Sequence, residues 1–108
     1  MLIIIKNIIG TNFAVSPENG DKVYENIKSR LINDLDTVVS FEGLEQITTA
    51  FLNNAIAKLY NDFNPEKLNQ FLKITDLDTY DLYLLKKVIE RAKLNIEERN
   101  IKGEFGSE

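Results

Sequence analysis

The residues best suited to chemistry are two adjacent hydroxyls, Thr48 and Thr49, which precede an amphipathic apolar pattern. An apolar run before them predicts a strand over residues 36–42, so we expect a strand, a short loop and then a helix start. Hydroxyls at a helix start act as caps, bind anions beside unpaired N–H groups, or become phosphorylated. The pattern indicates a cap at Thr48 or Thr49, with a phosphorylation switch or a partner contact as the alternative.

Two groups of acidic residues are weaker candidates for a catalytic or metal-binding site. Glu42 and Glu45 could form a general acid and base pair, but no third polar partner accompanies them, so we interpret them as a solvated, partner-facing loop. Asp76, Asp78 and Asp81 lack the Gly and the terminal Glu of a calcium loop, which favours a turn and a helix cap. We therefore predict no catalytic residue, no metal site and no cofactor.

The composition excludes several classes of catalytic and binding site. The 108 residues include no Cys and no His, which excludes disulfides, thiolate nucleophiles, Cys/His zinc sites and imidazole-based triads. The formal net charge is -4, and the basic residues are mixed with acidic ones, which argues against binding to nucleic acid. A chain without Cys fits a cytoplasmic protein.

The two ends of the chain differ in character. The apolar run at residues 2–9 is interrupted by Lys6 and Asn7. It is too short to span a bilayer, so we expect a buried strand and neither a membrane anchor nor a signal peptide. At the other end, residues 104–107 read as two adjacent cloning sites would. Residues 103–108 are therefore expected to be a disordered tail or a cloning remnant, and residues 1–102 a single domain.

Strand and helix patterns alternate along this domain, which predicts an α/β fold with helices covering a small mixed sheet. The predicted order is β-β-α-β-α-β-α, with a hairpin joining the first two strands. The elements are a strand over 2–9, a short strand at 13–15, a helix capped by Asn19 or Asp21, the strand over 36–42, a helix from Thr48 or Thr49 to about 61, a helical turn at 64–67, a strand over 71–75 and a helix from 79 to about 98. The buried stripe predicted for the helix that follows the threonines consists of Leu52, Ala55, Ile56, Leu59 and Tyr60.

Four segments of this chain carry a family resemblance: Gly20–Tyr24, Val38–Leu44, Thr48–Asn53 and Leu84–Lys93. Through them the chain resembles the STAS-like domains of unknown function, small bacterial and phage proteins related to the anti-sigma factor antagonists. The resemblance covers roughly residues 12–95. It implies a small STAS-like α/β fold and a non-enzymatic regulatory protein that docks on a partner, with a histidine-kinase-like ATPase as the candidate partner.

The resemblance also implies where such a switch would lie. Antagonists of this fold are released when a hydroxyl at the start of the second helix is phosphorylated, and the corresponding positions are Thr49, the first choice, and Thr48. The implied partner surface consists of Ser40, Glu42, Glu45, Thr48, Thr49 and Asn53. The chain departs from the antagonist pattern in two ways, because Ile47 stands where antagonists carry Asp and Ser40 where relatives often carry Asp.

A second function remains open at this stage. The chain could instead be an assembly or neutralising subunit of a phage-defence or toxin–antitoxin operon, acting without phosphorylation. A neighbouring gene for an ATPase or kinase favours the first function, and a neighbouring nuclease or toxin favours the second. For either function we expect a monomer or homodimer without a nucleic-acid or membrane partner.

Overall fold

A three-stranded parallel sheet organises the chain, whose computed structural model describes the backbone of residues 1–105 and the side chains of residues 1–95. The strands are β1 (Leu2–Ile4), β2 (Phe13–Ala14), β3 (Thr37–Ser40), β4 (Gln46–Ile47) and β5 (Leu72–Thr75). The helices are α1 (Ile5–Ile9), α2 (Pro17–Leu31), α3 (Thr49–Leu52), α4 (Leu59–Asp62), α5 (Pro65–Phe71) and α6 (Thr79–Phe105). A π-helical segment (Asn53–Ala57) joins α3 to α4, and we call residues 49–62 together the α3–α4 helix.

Strand β3 lies in the centre of the main sheet, between β1 and β5. Both pairings are parallel, with Val39 opposite Ile3 on one side and Ile74 on the other. Strands β2 and β4 form a separate two-stranded sheet, which is also parallel. The fold is therefore α/β, as predicted, but the prediction of a mixed sheet is not supported, because all the strand pairs of the described residues are parallel.

The predicted hairpin between the first two strands does not form. Strand β2 pairs with β4 instead, through Phe13 opposite Gln46 and Ala14 opposite Ile47. Parallel strands need a long crossover connection, and α2 and β3 lie between β2 and β4 in the sequence. The turn residues at 10–12, which suggested a hairpin, connect a helix to a strand.

The N-terminal apolar run is split between two elements. Strand β1 ends at Ile4, and α1 continues the run to Ile9 before Gly10, with φ 74°, ends the helix in the left-handed conformation. Ile5 and Ile9 are buried and lie four residues apart, so the same residues satisfy a helical spacing. A short apolar run does not distinguish a buried strand from a buried helix, which explains the wrong boundary.

Helix α2 begins earlier than predicted. Ser16 is its N-cap and accepts a hydrogen bond from the Asn19 N–H at 3.1 Å, and Pro17 occupies the first turn. Neither Asn19 nor Asp21 is the cap. Ser followed by Pro is a recognised helix start, and the turn-rich composition of residues 16–21 obscured it.

The hydrophobic core lies between α2, the α3–α4 helix and the main sheet. The predicted stripe on the α3–α4 helix is confirmed, because Leu52, Ala55, Ile56, Leu59 and Tyr60 are all buried. On the part of α6 whose side chains the structure describes, residues 79–95, the buried residues are Leu85 and Val88. Among the described residues, no helix is both long enough and apolar enough to cross a bilayer. The helix α6 runs to Phe105, and residues 106–108 of the predicted tail lie outside the described residues.

Candidate functional site

Thr48 caps the α3–α4 helix. Its Oγ1 accepts a hydrogen bond from the Phe51 N–H at 3.2 Å and donates to the Val15 carbonyl at 2.9 Å. The Thr48 N–H donates to the Ala14 carbonyl at 3.1 Å. The helix start is therefore fixed to the end of β2 and to the residue after it by two hydrogen bonds in addition to its own cap.

Thr49 is the next residue and its side chain is exposed. It occupies the first helical position, and the Asn53 N–H donates to its carbonyl. Asn53 is also exposed, and residues four apart lie on the same face of a helix. The structure thus brings the predicted residues Thr49 and Asn53 together on one face, with Thr48 as the cap beneath them.

The two glutamates lie before the helix start. Glu45 is exposed, and its backbone N–H and its Oε2 both bond to Asn12, at 2.8 and 3.2 Å. Glu45 is thereby held next to β4, three residues before Thr48. Glu42 is exposed in the preceding turn, and its N–H donates to the Ser40 hydroxyl at 3.1 Å.

The structure corrects the role predicted for Ser40. Its side chain is 0 % exposed, so it cannot contact a partner in this conformation. The hydroxyl donates to Asp76 Oδ2 at 2.6 Å, and Thr75 donates to the same oxygen at 3.0 Å. These hydroxyls, Ser40 before Thr75, lower the pKa of Asp76 below its ordinary value. Ser40 therefore joins the ends of β3 and β5.

A second group of polar residues joins α2 to the α3–α4 helix. Asp21 accepts from the Lys58 ammonium at 2.6 Å and from the Asn54 amide at 3.1 Å. The hydrogen bond from Lys58 is the main reason why the pKa of Asp21 lies below its ordinary value. At Gly20 the helices touch so closely that a Cβ would lie 2.7 Å from the Phe51 carbonyl oxygen.

Tyr24 lies beside this pair of helices and is nearly buried. Its hydroxyl donates to the Asp62 carboxylate, and Lys28 lies 3.7 Å from the same oxygen. Burial raises the pKa of Tyr24 above its ordinary value, and the hydrogen bond to Asp62 adds to the increase. The ammonium of Lys58 lies over the Tyr24 ring, 4.4 Å from its centroid. These contacts connect α2 to the α3–α4 helix, and none of them involves Thr49.

A groove that the sequence did not reveal runs between the α3–α4 helix and α6. Its volume is about 240 Å³. The lining residues are Asn53, Ala57, Lys58, Asn61, Val88, Arg91, Ala92 and Asn95. The signal that could have indicated it is the pair of small residues, Ala57 and Ala92, on two helices that pack together. Asn53 belongs both to this groove and to the exposed Thr49 face.

The site offers exposed hydroxyl, amide and carboxylate groups on a fixed helix start. Within residues 1–95, no three carboxylates come close enough together to hold a metal ion. This arrangement can present a recognition surface, on which the Thr49 side chain is exposed.

Comparison with protein families shows a match to a family of small domains. The model of a family described as a STAS-like domain of unknown function (DUF4325) matches residues 19–82, which is more than half of the chain. The matched range begins in α2 and ends just after the start of α6. Neither the comparison with curated proteins nor that with solved structures found a match.

Proposed function

This chain belongs to the family of STAS-like domains of unknown function, and we propose that it acts as a non-enzymatic regulatory module. In this proposal it docks on a partner protein through Glu45, Thr49 and Asn53, which we call the docking surface. Regulation of the anti-sigma factor antagonist kind is suggested by the STAS-like fold. The predicted cytoplasmic location and the kinase-like ATPase partner are parts of the same proposal.

The observation that carries the proposal is the division of roles between the two threonines. Thr48 makes the capping hydrogen bond to Phe51 and the bond to Val15, whereas the Thr49 side chain is exposed. A change at Thr49 can therefore alter the surface without removing a contact that stabilises the fold. This is the property that a modification switch requires, and it supports Thr49 over Thr48 as the phosphorylated residue.

Phosphorylation at this position is compatible with the fold. A phosphate adds a charge of about -1.5 to -2, and negative charge at the first helical position interacts favourably with the helix dipole. Phosphorylation would instead weaken partner binding, because the phosphate changes the charge of the surface that the partner contacts. The helix dipole would thus stabilise the phosphorylated chain, while the surface would lose its charge complementarity to the partner. Both effects support release of the partner on phosphorylation.

The proposal of a non-enzymatic role is supported by the use of the polar side chains. Asp21 is paired with Lys58, Asp62 with Tyr24, and Asp76 with Ser40. Each pair joins two elements of the fold. These three carboxylates therefore hold elements of the fold together, whereas Glu45, Thr49 and Asn53 are exposed at the helix start.

The test is capture of partners from the native host with the tagged full chain and with Thr49→Glu. We expect Thr49→Glu to lose the partner, because the new charge mimics the phosphate. Thr79→Glu is the matched control, because Thr79 is an exposed threonine at the first position of α6. If both variants capture the same proteins as the wild-type chain, the docking surface is wrong.

The same experiment distinguishes the two functions left open by the sequence. A kinase-like ATPase among the captured proteins, together with a phosphorylated peptide containing Thr49, would support the switch. A toxin or nuclease bound to an unmodified chain would favour the assembly or neutralising subunit. Loss of that partner in Thr49→Glu would still support the docking surface.

A further inference from the structure

We propose that the groove between the π-helical segment and α6 binds a carboxylate side chain of the partner protein, with Arg91 as its cation. This inference rests on the proposed function, because it names the chemistry of the partner that docks there. The site shares Asn53 with the docking surface but adds residues of α6, which the docking surface does not include.

The groove exists because of local backbone geometry and small side chains. In the π-helical segment the Lys58 N–H donates to the Asn53 carbonyl, five residues earlier, at 3.1 Å. Such wider turns occur frequently at functional sites. Ala57 and Ala92 leave space between the helices, and Val88 is 3 % exposed. The floor is therefore apolar and suits the methylene groups of a long acidic side chain.

The rim of the groove carries positive charge that the described residues do not fully compensate. None of the lining residues within the described part of the chain is acidic. The Lys58 ammonium is already bound to Asp21 at 2.6 Å. The exposed Arg91 is in none of the ion pairs found among residues 1–95. One guanidinium is thus available to a ligand.

A single available cation matches a monoanion better than a doubly charged phosphate. Guanidinium donates two parallel hydrogen bonds to a carboxylate in a fixed fork geometry. The amides of Asn53 and Asn95 add donors at the rim, as a carboxylate with about four acceptor positions requires. The groove therefore fits the side chain of a partner Glu, or its shorter relative Asp.

The position of the groove connects it to Thr49. Asn53 lines the groove and lies one helical turn from Thr49. A phosphate on Thr49 would be placed close to the entrance of a site that holds a carboxylate, and like charges repel. The groove thus gives a physical reason for release, since phosphorylation would expel an acidic partner segment.

The test is a titration of the isotope-labelled full chain followed by NMR, with glutamate blocked at both ends as the probe. We expect saturable shifts at Asn53, Ala57 and Arg91, and about tenfold weaker binding of blocked glutamine, which cannot form the charged pair. Arg91→Gln should weaken binding of blocked glutamate by about tenfold as well. Lys86→Gln, an equal charge change at an exposed α6 residue outside the groove, should bind like the wild-type chain.

Three results would overturn the proposal. Equal binding of blocked glutamate and blocked glutamine would show that the charge is not recognised. Equal weakening by Arg91→Gln and Lys86→Gln would show that only the net charge matters. Tighter binding of inorganic phosphate or free glutarate than of blocked glutamate would assign the groove to a small anion instead of a protein side chain.

Partner capture separates failure of this inference from failure of the docking surface. If Thr49→Glu loses the partner while Arg91→Gln retains it, the groove proposal fails and the docking surface stands. If Arg91→Gln loses the partner while Thr49→Glu retains it, the groove stands and the docking surface fails.

Discussion

Two helix starts in this protein use the same local motif in different surroundings. At the start of α3, Thr48 accepts from the Phe51 N–H, and at the start of α6, Asp78 accepts from the Asp81 N–H at 2.8 Å. Each cap is followed by an exposed threonine. The difference lies in what holds the cap, because Thr48 also bonds to Val15 and Ala14.

The surroundings decide which helix start can serve as a recognition surface. Gly20 packs behind α3 against the Phe51 carbonyl, so this start is fixed from two sides. Asp78 is exposed, and its negative charge lies near Asp81. A fixed surface loses less conformational entropy when a partner binds. The comparison teaches that tertiary contacts around a cap, and not the cap motif, distinguish the proposed docking surface from the start of α6.

The largest effect should come from adding a methyl group at the close contact behind α3. Gly20→Ala in an ordinary helix interior would stabilise by about 1 kcal/mol. Here the added Cβ would lie 2.7 Å from the Phe51 oxygen and 2.9 Å from the Asn54 Cβ. We expect a net destabilisation of about 2–3 kcal/mol from overpacking, measured by urea unfolding. Lys22→Ala, at an exposed position of the same helix, is the control, and a stabilised Gly20→Ala would contradict the close contact.

The second effect concerns the two caps directly. Thr48→Val keeps the shape of the side chain but removes the cap and the bond to Val15, at a cost of about 1 kcal/mol each. Asp78→Ala removes a cap, at about 1 kcal/mol, and also the like charge beside Asp81, which offsets part of that cost. We expect unfolding measurements to show the larger loss for Thr48→Val and recovery of most of it in Thr48→Ser. Equal losses of unfolding free energy in Thr48→Val and Asp78→Ala would show that the contacts around Thr48 do not strengthen its cap.

The smallest effect is electrostatic and is confined to α6. Desolvation, and then the Asp78 carboxylate, raise the pKa of Asp81 above its ordinary value of 3.8. Its contribution to stability is thus present below pH 3.8 and is lost as the pH rises through the raised folded-state value.

Asp78→Asn tests this relation, because Asn keeps a capping oxygen and removes the like charge. We expect the pKa of Asp81 to fall and the loss of stability with rising pH to shrink. The carboxyl carbon of Asp81, followed by NMR across the acidic range, measures the change. An unaltered titration would show that desolvation alone sets the pKa.

Sequence patterns predict the features that depend on a local capping motif or on an apolar spacing repeated over several helical turns. The stripe on the α3–α4 helix and the Asn64–Pro65 start of α5 are examples, since a cap or a repeated spacing specifies them. The cap at Thr48 was one of two alternatives, because adjacent hydroxyls satisfy the same pattern and only the contact with Val15 separates them.

Other features depend on contacts between distant segments. The parallel pairing of β2 with β4 is set by α2, which carries the chain across between them. The burial of Ser40 depends on Asp76, which lies one strand away in the sheet. The groove requires the packing of α6 on the π-helical segment. No local pattern encodes such contacts. The sequence therefore predicts a partner contact at Ser40, although this residue is buried in the structure.

The parallel arrangement of the main sheet also determines the order in which the chain can assemble. Leu2 pairs with Val38 and Thr37 with Leu72, so both strand pairings must close a long stretch of chain before any of their hydrogen bonds form, and such closures are entropically costly and slow. During synthesis, α2 and the α3–α4 helix emerge before β5 and can pack on each other without it. Strand β5 is the last strand to be synthesised, so the edge of β3 that it covers stays unpaired until then, and α6 follows to complete the core.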